Sequence, residues 1–400
     1  MFPSKILCSF LLLSLSIANA SPVSTSGNKV SLRFAAAVNA TGVINIAEAD
    51  RARAKAMLDG TFSKRDASVS VTNDVVSYTA QVGVGSPATE YTLIIDTGSS
   101  NTWVGAEKAY KPTSTSQDTG NRVSVKYGSG SFSGEEYTDT VSLGNGLTIS
   151  KQSIGVASSA TGFEHVDGIL GVGPTDLTKG TVANTNTIPT VVDNLYSQGV
   201  ISEAVLGVYF IPTSDSTSGE LTFGGYDSSV TTSSVNYVPI TGTSPASNYW
   251  GIDQSISYGS KTILSTTAGI VDTGTTLILI ASDAFSAYQS VTGATLDSAT
   301  GLLTISQSQY DNLQTLTFNI GSHAYALSPN AQIWPRSLNS IIGGNSGQIY
   351  LVIADIGSIV GTGLDFINGY SFLERYYSVF DTTNSRVGFA TTEYTTSTSN

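Results

Sequence analysis

From Val75 onward the chain is built from short apolar or alternating runs separated by clusters of Gly, Ser, Asn, Asp and Pro. Residues 78–84, 91–95, 122–127, 138–143, 221–223 and 377–380 are such runs, and their length and punctuation predict strands joined by tight turns. Three stretches, 188–197, 282–289 and 306–313, have polar or Pro starts and partly helical spacing, which predicts short helices. The Ser/Thr-rich stretches 113–116, 213–218 and 395–400 read as loops. The expected class is mainly β, with sandwiched or barrel-like sheets.

Composition points the same way. Only 12% of the 400 residues are charged, and Ser, Thr, Gly, Val, Ile and Tyr dominate. A chain this long with 40% hydrophobic residues exceeds one ordinary core, so two lobes are expected.

The first twenty residues differ from the rest. Lys5, the apolar run 6–17 and Ala18-Asn19-Ala20 have the three zones of a secretory signal, with cleavage expected after Ala20 and a secreted, extracellular product without a membrane anchor. The one cysteine, Cys8, falls in this segment, so no disulfide or thiol chemistry is expected in what remains.

Charge divides the chain at residue 65. Residues 21–65 carry seven basic and three acidic side chains, whereas residues 66–400 carry ten basic and 27 acidic ones. A basic leading segment would be attracted to an acidic body at neutral pH and released as carboxylates protonate, the behaviour expected of an inhibitory pro-segment. Lys64-Arg65 offers a processing cut before Asp66, and Lys55 is the candidate cation for neutralising an acidic site. The acidic body argues against nucleic acid as a partner. The Asn-x-Ser/Thr site at Asn39 falls in the basic segment, so no N-linked glycan is expected beyond it.

One pattern occurs twice. Leu93-Ile94-Ile95-Asp96-Thr97-Gly98-Ser99-Ser100 returns 176 residues later as Gly269-Ile270-Val271-Asp272-Thr273-Gly274-Thr275-Thr276. Apolar stretches ending in Gly follow each copy, at 167–171 and 366–369. A single Asp-Thr-Gly is an ordinary turn. Two copies, on matched strands of facing lobes, would bring Asp96 and Asp272 together. Neighbouring carboxyls resist double ionisation and hold one proton between them in acid, so one can take a proton from water while the other donates to a carbonyl oxygen. Ser99 and Thr275 could donate hydroxyl hydrogen bonds that favour the ionised forms.

Other chemistries lack their residues. His165 and His323, the only histidines, lie in no ligand-spaced pair, so a metal site and a cofactor are not expected; no Gly-x-Ser-x-Gly surrounds a nucleophilic serine. A glycoside hydrolase would not need duplicated Asp-Thr-Gly loops. The serious rival is a non-enzymatic binding protein of the same fold, whose usual mark would be the loss of one Asp.

The two Asp-Thr-Gly copies, the stretch from Asp96 to Trp103, and Tyr127-Gly128-Ser129-Gly130-Ser131 resemble the pepsin family of aspartic peptidases, over about residues 75–391. The resemblance implies a bilobal pepsin-like fold with a cleft between two β-barrel-like lobes, divided here as 66–238 and 239–400. It implies a monomeric endopeptidase that acts on proteins and peptides in acid, is inhibited by pepstatin and prefers bulky hydrophobic residues flanking the cut. Asp96 and Asp272 would be the catalytic pair, with Gly98, Gly274, Thr275 and Thr276 beside the substrate. Tyr127, Gly128 and Ser129 would form the tip of a closing flap, with the Tyr127 hydroxyl bonded to the Trp103 indole. Asn368 stands where an apolar residue is usual and Tyr370 where Asp is frequent, so packing behind Asp272 should differ.

Overall fold

The computed structural model describes residues 29–38, 45–60, 76–128, 130–212 and 218–400. The signal-like segment, Asn39, the Lys64-Arg65 pair and Ser129 lie outside the described residues.

The predicted runs are strands. Together with further strands that were not predicted, ten lie among the described residues up to 223: β1 Val30–Val38, β2 Val76–Val84, β3 Thr89–Asp96, β4 Thr102–Val104, β5 Gln117–Lys126, β6 Ser131–Gly144, β7 Leu147–Thr161, β8 Gly168–Gly171, β9 Val205–Phe210 and β10 Ser218–Phe223. They belong to a 13-stranded sheet ordered β9-β10-β1-β2-β3-β8-β4-β7-β6-β5, extended beyond β9 by Tyr376–Asp381, Arg386–Thr391 and Asn236–Pro239. A further pairing of β2 with β6 bends this sheet back on itself into a barrel-like lobe. A seven-stranded sheet builds the other lobe, in the order His323–Leu327, Leu316–Ile320, Gly251–Tyr258, Lys261–Val271, Phe366–Asn368, Ile278–Ile280, Ile353–Asp355. Strands from the end of the chain therefore complete the sheet begun by its first half.

Helices are few. The stretch at 188–197 becomes Val191–Ser197, starting after Pro189 on a capping box between Thr190 and Asp193. The stretch at 282–289 runs on to Thr292 and stops at Gly293, whose φ of +66° suits glycine. Only Gln307–Tyr310 of 306–313 is helical, capped by Ser306. The helix that matters most, α1 at Ile46–Leu58, lies in the basic segment. Its buried residues, Ile46, Ala47, Ala49, Asp50, Arg53, Ala54 and Met57, recur at helical spacing, and Asn45 caps it by accepting from the Glu48 N–H.

The basic segment is integrated into the fold. β1 is hydrogen-bonded on both edges, to β10 and to β2. Phe34 from β1 is buried edge-on against Tyr78 and Phe210, at centroid distances of 5.4 and 5.3 Å. Burial of such a ring contributes roughly 1.5–3 kcal/mol. Among the described residues no helix is long and apolar enough to cross a membrane.

Candidate active site

Each Asp-Thr-Gly copy sits where a strand ends beside a parallel neighbour. β3 runs parallel to β8, pairing Asp96 with Gly171, and β4 flanks β8 from the other side. In the second lobe Lys261–Val271 runs parallel to Phe366–Asn368, which Ile278–Ile280 flanks in the same manner. The Gly-terminated stretches at 167–171 and 366–369 thus close behind their own Asp loops.

The two loops lock together through their threonines. The Thr97 N–H donates to Thr273 Oγ1 at 3.0 Å, and the Thr273 N–H donates to Thr97 Oγ1 at 2.9 Å. Thr273 Oγ1 donates in turn to the Ile95 carbonyl at 3.0 Å. Nearby, the Trp250 indole N–H reaches the Val172 carbonyl at 3.2 Å, a second buried tie between the halves. Sequence reasoning passed over Thr97, Thr273 and Trp250; the Thr repeated in both copies was the available signal.

This lock sets Asp96 and Asp272 face to face in matching environments. Gly98 N–H donates to Asp96 Oδ1 and Gly274 N–H to Asp272 Oδ1, both at 2.9 Å. Ser99 Oγ donates to Asp96 Oδ2 at 2.5 Å, and Thr275 Oγ1 to Asp272 Oδ2 at 2.6 Å. Neither glycine has room for a side chain: a Cβ on Gly98 would lie 2.6 Å from Asp272 Oδ1, and one on Gly274 would lie 2.6 Å from Asp96 Oδ1.

Between the carboxylates lies Arg53 of α1. Its Nη2 donates to Asp96 Oδ1 at 2.6 Å and to Asp272 Oδ1 at 3.2 Å, while Nε donates to Asp272 Oδ2 at 2.8 Å. Arg53, not Lys55, is therefore the cation at this site. Lys55 is 70% exposed and pairs with Asp59 at 2.6 Å, because two residues along a helix turn a side chain to the far face. All three site groups are at most 4% exposed, so the ions depend on one another for compensation. Burial raises the pKa of Asp96 and the Asp272 charge adds to that, outweighing Arg53. Burial also acts on Asp272, but the charge and hydrogen bonds of Arg53, with Thr275 and Gly274, hold it below the ordinary carboxylate range. The two carboxyls are thus driven apart, with Arg53 favouring the charge on Asp272.

Above the pair, β5 and β6 form a hairpin whose tip is closed by the Tyr127 N–H donating to the Gly130 carbonyl at 2.8 Å. The tip rests on α1. Gly128, at φ +59°, approaches so closely that a Cβ there would lie 2.5 Å from the Arg53 Cα. Trp103 stacks on Phe132 at 4.2 Å between centroids and lies 6.4 Å from the Tyr127 ring. The Tyr127 hydroxyl faces the Trp103 indole and the Ser99 hydroxyl as hydrogen-bonding neighbours. Burial nevertheless pushes the Tyr127 phenol well above its ordinary range, and the facing Trp103 and Ser99 groups oppose that shift.

Thr276 faces α1 as well: its N–H and that of Leu277 donate to Asp50, a residue not singled out in the sequence. The departure at Asn368 is accommodated by a reciprocal amide pair with Gln254, at 3.0 and 2.8 Å, both side chains fully buried. Tyr370 is buried edge-on against Tyr78. His165 and His323 are exposed.

Comparison with known proteins agrees with this geometry. The eukaryotic aspartyl protease family matches residues 77–392. Polyporopepsin of Irpex lacteus is 63% identical over 338 residues, covering 83% of this chain and 99% of that protein. Pepsin A of Sus scrofa is 34% identical over 332 residues, covering 78% and 80%. The crystal structure of an aspartic proteinase from Irpex lacteus superposes with a TM-score of 0.79 at 63% identity, covering 81% of this chain and 96% of that one. Duplicated Asp loops, a bilobal β fold and this likeness over most of the chain lead to one conclusion: the chain belongs to the eukaryotic aspartyl protease family and is a pepsin-like aspartic endopeptidase.

Proposed function

We propose that this endopeptidase is secreted as a zymogen, that Asp96 and Asp272 are its catalytic dyad, and that residues 21–65 are the inhibitory segment removed before it acts in acid. The observation that carries the reading is the single Arg53 nitrogen bonded to one oxygen of each aspartate. A group placed there touches both carboxyls at once, and a water in that position would do the same once α1 has left. The ionised carboxyl then takes a proton from the water as it attacks the peptide carbonyl, and the protonated one donates to the carbonyl oxygen. Collapse of the tetrahedral intermediate with proton transfer to the amine breaks the C–N bond, without a covalent enzyme intermediate.

The surroundings fit this role. Gly98 and Gly274 leave space for the reacting atoms, and Thr275 and Ser99 orient the carboxyls. The hairpin tip at Tyr127 and Gly128, with Ser129 beside it, would close on a substrate as it now closes on α1, excluding water. Two cavities flank α1, of about 220 and 230 Å³, lined in part by Ile356 and Leu364 and by Leu177, Pro245 and Tyr249. Such walls favour bulky hydrophobic residues on either side of the cut in protein and peptide substrates.

Acidified full-length chain should digest an unfolded protein, pepstatin should block it, and N-terminal sequencing should find the active form starting near Asp66. Asp96→Asn or Asp272→Asn should lower turnover by about 10²- to 10⁴-fold while the circular dichroism spectrum is kept. Retained turnover in either variant, or a pepstatin-insensitive neutral optimum, would reject the dyad.

A further inference from the structure

α1 is tied to the cleft at a second point, one turn before Arg53. Asp50 is fully buried. Its Oδ2 accepts from the main-chain N–H of Leu277 at 2.8 Å and of Thr276 at 3.1 Å, while Oδ1 lies 3.3 Å from the same Thr276 nitrogen. Two consecutive main-chain donors converging on one side chain in a closed pocket suit a carboxylic acid or its amide isostere. We infer that the Thr276 and Leu277 amides form a carboxyl-binding site beside the dyad, and that Asp50 is its resident ligand, anchoring α1 independently of Arg53. The inference rests on the reading of α1 as an inhibitory segment.

Helix geometry makes the two anchors one device. Asp50 and Arg53 are three residues apart on the buried face of α1, so a single rigid element delivers a carboxyl to the main-chain donors and a guanidinium to the dyad. Arg51, on the flank, adds a bond from Nε to the Asp355 carbonyl at 3.1 Å. Loss of the Asp50 carboxyl would leave two buried donors without an acceptor.

The anchors answer acid differently. The charged and titratable groups around Asp50 are Arg53 on its own helix, Asp272 across the cleft and Tyr370 beneath. Burial pushes the docked Asp50 carboxyl up to about 7, against the lowering effect of the Leu277 and Thr276 N–H groups and the Arg53 charge. Because this exceeds its ordinary value of 3.8, its contribution to docking is full below that value and is lost as pH rises through about 7. Oδ1, which has one long contact, can carry the proton while Oδ2 stays the acceptor. The Arg53 ion pairs, by contrast, weaken as the dyad takes up protons. Asp50 thus keeps α1 seated in acid after the ion pairs begin to fail, and sets how fast the segment leaves.

The test compares full-length wild type, Asp50→Ala and Asp50→Asn, moved from neutral to acidic buffer, following gel conversion and cleavage of a fluorogenic peptide. Asp50→Ala should convert on the order of tenfold faster in acid, the consequence of losing one well-formed buried hydrogen bond. Asp50→Asn, whose amide oxygen can accept from both donors, should return to the wild-type rate. If Asp50→Ala does not fold, Asp50→Ser, too short to span the donors, should show the same acceleration. A latent wild type with Asp50→Ala converting at the same rate, or Asp50→Asn converting as fast as Asp50→Ala, overturns the anchor alone. Immediate full activity of uncut wild type, with no lag, overturns the inhibitory reading and the anchor with it.

Discussion

Replacing Ser99 by Ala should move one limb of the pH profile and leave the other almost still. The Ser99 hydroxyl donates to Asp96 Oδ2 at 2.5 Å in a fully buried setting, and the matching donor on Asp272 is Thr275 at 2.6 Å. A hydrogen bond to a charged group contributes roughly 1.5–3 kcal/mol, and each pKa unit is about 1.36 kcal/mol, so ionising Asp96 should become harder by about one to two units. Water entering the vacated space and the remaining Gly98 N–H favour the lower figure.

That cost is not felt equally by both steps of a coupled titration. Arg53 makes two of its three bonds to Asp272, and much of the present asymmetry between the carboxyls leaves with it. In the released enzyme the first negative charge can then settle on Asp272 when Ser99 is missing. The acid limb of kcat/KM should rise by only about 0.3 unit, the statistical factor lost when one of two equivalent sites is disabled. The second ionisation has no such choice, so the basic limb should take the remainder of a one-unit shift, about 0.7 unit. Thr275→Ala should behave alike, and the double variant should lift both limbs by about one unit. The assay is the pH dependence of kcat/KM on a fluorogenic peptide after removal of the leading segment. An acid limb shifted by a full unit in either single variant, or no shift in either limb, would refute the shared-proton reasoning.

Two further predictions concern the frame around the dyad. Glu136 on β6 is 2% exposed; it accepts from Ser153 on one oxygen, the other has no partner, and burial pushes its pKa from 4.5 to about 7. A raised folded-state value means stability that is complete below 4.5 and lost as pH rises through about 7, amounting to about 3 kcal/mol. Glu136→Gln should flatten that loss in urea unfolding compared at pH 5 and pH 8, in an Asp272→Asn background that prevents self-digestion; identical pH dependence in both proteins would count against it. Thr273→Val removes the acceptor of the buried Thr97 N–H and should destabilise by about 1–3 kcal/mol, whereas Thr273→Ser should cost far less; equal melting curves for the two would show the interlock to be idle.

What could be read from the chain was what repeats locally. The Asp loops, their downstream Gly-terminated strands and the hairpin of β5 and β6 each lie in a few contiguous residues whose alternation or duplication is visible without tertiary information. The interlobe ties were not visible, because Trp250 and Val172 are brought together only by the crossing of two lobes. Asn368 looked like a disturbance because its partner, Gln254, lies 114 residues away. The shared sheet is illegible in the sequence for the same reason: Tyr376–Asp381 pairs with β9 across the whole second lobe.

The expectation of Lys55 as the site's cation fails for a different reason. Counting the leading segment as net charge makes its cations interchangeable, and only a helical reading separates them. On a 3.6-residue period Asp50, Arg53, Ala54 and Met57 share one face with Ile46, while Lys55 turns outward to Asp59. Small alanines at 47, 49 and 54 let this face come close enough for short side chains to reach main-chain donors. A planar guanidinium then suits two carboxylates, where a single ammonium would offer a point charge without the fork. On the proposed reading of the segment as an inhibitor, its chemistry resides in its period, with charge supplying the attraction and the helix deciding which charge arrives.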